Sequence, residues 1–138
     1  MKVTMMLADA AQAVTGKLYI LGGGWSLTGP NPTPMAIAVK IEVPWDQAND
    51  KHDFKLSLYD ADGKSVKVEE KEDGEPIEIS GIFEAGRPPG LIPGTPLDVS
   101  LAINLPPIAL KPGSRYAWQL FIDNETKEEW RAGFSTRA

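Results

Sequence analysis

The last third of the chain carries the feature that most restricts its fold. Leu97, Val99, Leu101, Ile103 and Leu105 alternate with polar or small residues. A Leu-x-Pro-Gly-x-x-Tyr corner then runs from Leu110 to Tyr116, and Tyr116, Trp118, Leu120 and Ile122 share one face of a second alternating segment. Alternation with a period of two places every second side chain on the same face of a strand. A corner between two such strands carries a chain from one sheet of a β-sandwich to the other. Pro112 and Gly113 make the turn, and the Tyr116 ring is expected to lie between the sheets with its hydroxyl bonded to backbone near Leu110 to Gly113.

The rest of the chain repeats this strand pattern. Val3, Met5 and Leu7 begin a strand, and Ala8 to Val14 is at most one helical turn, too short to stand alone. Lys17 to Leu21 is a second strand. Gly22 to Pro34, with its three successive glycines and three alternate prolines, reads as a loop or an edge crossing. Met35 to Pro44 has Ile37, Val39, Ile41 and Val43 on a core face, while Ala36, Ala38, Lys40 and Glu42 form the other, which faces solvent at its end. Phe54, Leu56 and Leu58 lead into a hairpin turn at Asp60 to Lys64, which Val66 and Val68 continue. The acidic tract from Glu69 to Glu75 is its solvated far end. Ile77 to Phe83, Leu97 to Leu105, Arg115 to Ile122 and Glu128 to Ser135 complete eight or nine strands with no helix of useful length. The pattern predicts one all-β domain over residues 1–138, an antiparallel Ig-like or Greek-key sandwich.

Charge and composition narrow the partners. A net charge of −5, with fourteen basic residues and no run of three, argues against a nucleic-acid surface, where Lys and Arg must neutralise phosphates. It argues equally against an anionic membrane. The apolar run from Val3 to Ala8 is shorter than the about 7 to 15 residues of an export segment and is closed by Asp9. No cysteine is present, which removes thiol chemistry and is compatible with a cytoplasmic setting.

Catalytic and cofactor motifs are incomplete. Gly22-Gly23-Gly24 is not followed by the helix a phosphate loop needs, and Thr28 stands where a nucleophile elbow needs glycine. Asp60, Asp62 and Gly63 resemble the start of a calcium loop, but Lys64 and Lys71 occupy ligand positions. Asp46, Asp50, Asp53 and Asp123 could hold a metal only if the fold joined them. His52, the single histidine, points away from Asp53 if both lie in a strand, and reads as a surface residue. These gaps predict no enzyme, no cofactor and no metal.

Tryptophans are the remaining candidates. Trp118 belongs to the core face, whereas Trp25 and Trp45 lie in loops and Trp130 lies on the last strand. Indoles bring large contact area to binding sites, and they also plug the ends of sandwiches.

Leu7-Ala8-Asp9-Ala10-Ala11, the run Gly16-Lys17-Leu18-Tyr19-Ile20-Leu21-Gly22-Gly23-Gly24-Trp25, and the Pro44-Trp45-Asp46 turn resemble a family of short bacterial proteins described as a domain of unknown function. The resemblance covers the chain and implies a bacterial cytoplasmic β protein; it brings no activity or site residues. The expectation is a non-enzymatic sandwich that binds a protein partner or its own copies. The alternative is a small-ligand or carbohydrate module that stacks its ligand on Trp25, Trp45 or Trp130.

Overall fold

The computed structural model describes residues 1–29, 34–68 and 74–138. Parts of the glycine-proline segment and of the acidic tract therefore lie outside the described residues. The protein is all-β. Its strands are β1 (Lys2–Ala8), β2 (Ala10–Val14), β3 (Lys17–Leu21), β4 (Leu27–Thr28), β5 (Met35–Val43), β6 (His52–Asp60), β7 (Glu78–Phe83), β8 (Leu97–Leu105), β9 (Arg115–Ile122) and β10 (Arg131–Thr136). A three-stranded sheet in the order β1-β5-β8 faces a five-stranded sheet in the order β4-β10-β9-β6-β7. All pairs in these two sheets are antiparallel except the short parallel contact of β4 with β10.

The core lies where the alternating faces meet. Ile37, Val39, Ile41 and Val43 of β5 are fully buried against Leu56 and Leu58 of β6 and Trp118 and Leu120 of β9. Phe54 is only half-buried; its ring lies over Gly81 of β7, its cross-strand partner, where any side chain on Gly81 would collide with it. The Asp60 turn forms with Gly63 at φ +77°. The Asp60 carboxylate accepts the amides of Asp62 and Lys64, so it is used to close the turn. The return through Val66 makes isolated bridges, Tyr59 to Ser65 and Lys67 to Pro76, in place of a strand.

A third layer corrects the expectation of a helical turn at the opening of the chain. Ala10 to Val14 is strand β2, paired with β3 across a two-residue turn at Thr15 and Gly16, both at positive φ. That is the turn geometry whose twist suits a hairpin. The hairpin packs on the outer face of the three-stranded sheet, so Ala36 and Ala38 are buried beneath it with Ala8 and Ala11. Small side chains let the two layers approach. The Asn104 side chain spans the gap as a strand would: its Oδ1 accepts the Ala11 amide at 3.1 Å and its Nδ2 donates to the Ala11 carbonyl at 2.7 Å. The other half of this face is charged, with Lys2 near Glu42 and Lys40 near Asp98. Asn104→Ala is expected to weaken the hairpin by about 1–2 kcal/mol, since two hydrogen bonds go together. Amide exchange should then speed up in β2 and β3 and stay unchanged in β5.

The crossing from β8 to β9 has the geometry of a tyrosine corner. Gly113 sits at φ +65°, and the Lys111 amide donates to the Tyr116 hydroxyl at 2.9 Å. The Tyr116 ring is buried and stacks on Phe134 of β10, centroids 5.6 Å apart.

Candidate functional site

The four indoles do not assemble into one platform. Trp118 is fully buried. Trp25 meets Phe134 edge-on at 6.0 Å beside the start of β9, and its Nε1 is shielded from solvent without an acceptor among the described residues. Trp45 lies at the opposite end, in a single 3-10 turn just before β6. The Arg87 guanidinium covers its ring at 4.1 Å and also donates to its carbonyl at 2.8 Å. Trp130 is 5% exposed, with the Lys127 ammonium 5.3 Å above its ring. Each loop or edge indole thus already has a neighbour across its face or edge.

His52 is not a surface residue: it is 7% exposed at the start of β6 and stacks on Phe83. Its Nδ1 lies 2.7 Å from Asp123 Oδ2, while the Asp53 amide donates to Asp123 Oδ1 at 3.0 Å. Asp123 is held in this position by a two-residue turn in which both it and Asn124 have positive φ. The hydrogen bond from His52, then that from the Asp53 amide, hold the Asp123 carboxyl below its ordinary value of 3.8. A depressed carboxyl contributes stability that is present above the unfolded value and is lost as pH falls through the folded one. Asp123→Asn keeps the turn and removes the charge. Its unfolding free energy should fall by about 0.5 kcal/mol at neutral pH, a half-exposed pair being weakened by solvent. Urea midpoints should show this gap closing below pH 3.8, the ordinary value.

Among the described residues, two of the surface clefts lie beside charged side chains. One, of about 360 Å³, lies on the outer face of the five-stranded sheet near Lys55, Ile82 and Phe121. The other, of about 660 Å³, separates the Asp60 turn from the tyrosine corner. Asp60, Asp62 and Lys64 line it from the turn and Lys111 and Arg115 from the corner, so no single charge sign selects a ligand. Among the described residues no group of three or more His, Cys, Asp or Glu side chains converges on a metal position, and no helix is long and apolar enough to cross a membrane.

The feature with the clearest capacity to bind is the free edge of β8. This strand ends its sheet, and among the described residues no backbone bond reaches its second edge. An unpaired row of amides and carbonyls is a template for another strand, and proteins usually blunt it with Lys, Pro, Gly or shortness. The edges of β1, β7 and β3 are blunted in this way. β1 begins with Lys2, and its Leu7 carbonyl is taken by Gly24; β7 has six residues and contains Gly81; β3 has five and begins with Lys17. β8 has nine residues with no Lys, Arg, Gly or Pro. Its prolines stand outside it, at Pro96, Pro106 and Pro107. Its inward residues Val99, Leu101, Ile103 and Leu105 are only partly buried against the core. Residues 97–105 were legible as a strand, but which strand ends a sheet is decided by long-range pairing. The absence of Lys, Arg, Gly and Pro from residues 97–105 was the one signal available in the sequence.

Architecture and surface together define a β-sandwich with an unprotected sheet edge. The chain belongs to DUF6941, a family of unknown function whose family model matches residues 3–132. Comparisons with curated proteins and with solved structures gave no match.

Proposed function

We propose that the protein is a non-enzymatic, Ig-like interaction module of the bacterial cytoplasm that binds by adding a strand to the free edge of β8. The observation that carries this reading is the edge itself, nine residues long, alternating and unblunted. Strand addition gives affinity through main-chain bonds and specificity through alternate side chains, and the partly buried Val99, Leu101 and Ile103 supply the apolar positions. The Ig-like assignment is supported by the order β1-β5-β8 facing β7-β6-β9-β10, which follows the A-B-E and C′-C-F-G arrangement of such sandwiches. The net charge of −5 favours a protein partner over nucleic acid.

A photo-cross-linking residue at Ile103, introduced into the protein in its own cells, tests the reading. Covalent protein adducts are expected from position 103 and not from a control at Ile82, which is exposed on the other sheet. No adduct at 103 above the control would contradict it.

A further inference from the structure

We propose that the strand received by β8 is β8 of a second copy, paired antiparallel about a two-fold axis at Leu101; this rests on the reading of β8 as the interaction edge. The support is the self-complementarity of the segment. An isologous interface must match a surface to itself, and a strand that carries like charges opposite one another across the axis is destabilised. Antiparallel pairing centred on Leu101 sets Leu97 opposite Leu105 of the second copy, Val99 opposite Ile103, Ser100 opposite Ala102 and Asp98 opposite Asn104. Every inward position then faces an apolar one, and the single charge of the strand faces an amide.

The outer face is compatible with this pairing. In each copy the β2–β3 hairpin covers β8 from Ser100 to Asn104, with its Gly16 carbonyl bonded to Ser100 Oγ at 3.0 Å, while the Asp98 end carries the contact with Lys40. Antiparallel pairing sets the covered end of one β8 beside the open end of the other. The two hairpins are therefore offset toward opposite ends of the joined face and meet only beside its central residues, Ser100 to Ala102. The joined sheet has six strands, and the partly buried inward residues of both copies meet at its centre.

The chain has no cysteine, so single cysteines report the register directly. Leu101→Cys should cross-link to itself through a short thiol linker, because directly opposed residues have Cβ atoms about 4.5–5.5 Å apart. Val99→Cys and Ile103→Cys should not link alone, their copies being about 14 Å apart, but a mixture of the two should link. Circular dichroism on each variant confirms that it is folded, and sedimentation equilibrium of the wild type gives the stoichiometry. The expected result is a dimer, with dimer yield about tenfold higher for Leu101→Cys than for Val99→Cys or Ile103→Cys alone. Efficient linking by Val99→Cys alone would overturn the register. A strictly monomeric wild type would overturn self-pairing. Neither outcome bears on β8 as an interaction edge, which fails if the Ile103 photo-cross-linker captures nothing in cells; a heterologous adduct there would keep that reading and overturn this one.

Discussion

Trp118→Ala should lower the unfolding free energy by about 3–5 kcal/mol, the range for truncating a buried aromatic. The indole is fully buried between the sheets. It lies on β9, paired to Leu58 of β6 on one side and Ala132 before Phe134 of β10 on the other. Neighbours on three strands would have to collapse into the space, and close-packed sheets do so only partly. One term runs the other way: Trp118 Nε1 has no acceptor among the described residues, so the substitution also removes an unpaired donor. That keeps the expectation below the largest aromatic truncations. Since a domain is stable by about 5–15 kcal/mol, the variant should approach the unfolding threshold. Urea denaturation should show a large fall in midpoint with an unchanged slope. A midpoint within error of wild type would mean the indole does not fill the core.

Tyr116→Phe should cost about 1–3 kcal/mol although it removes a single oxygen. The ring stays, stacked on Phe134. What is lost is the acceptor for the Lys111 amide, which is left in a partly buried corner where water replaces it poorly. Gly113 and Ser114 are tied to the last strand by bonds to Arg137 and Thr136, so the corner cannot relax freely to rehydrate that amide. Tyr19→Phe is the control, since Tyr19 is 55% exposed on the outer face of the hairpin. It should leave the midpoint unchanged. Equal midpoints for Tyr116→Phe and wild type would remove the corner from the account of stability.

Strand pattern was readable wherever apolar residues alternated. β5, β8 and β9 announce themselves through Ile37 to Val43, Leu97 to Leu105 and Tyr116 to Ile122. β2 does not, because Ala-Ala-Gln-Ala-Val lacks alternation and has Val14 as its one β-branched or aromatic residue. Its small residues make sense only once β5 is seen to offer Ala36 and Ala38 as a matching flat face. The partner of His52 lies 71 residues away, beyond the reach of any local pattern. The candidate site was hidden for a related reason. Trp25, Trp45 and Trp130 attract notice as residue types, yet the fold has already packed each against Phe134, Arg87 or Lys127. The backbone edge of β8 carries no distinctive side chain. It becomes visible only from the sheet order and from what the strand lacks.

Backbone amide exchange along β8, measured residue by residue at low and at high protein concentration, tests the open edge most directly. In an antiparallel pair every second residue turns its amide away from the partner strand, so the alternate amides of β8 that face away from β5 should exchange rapidly in dilute protein. They should become protected as concentration rises, while the outer amides of β7 should not change. Protection of the whole of β8 at every concentration would show that the edge is already closed within one chain, and would contradict its role as a binding surface.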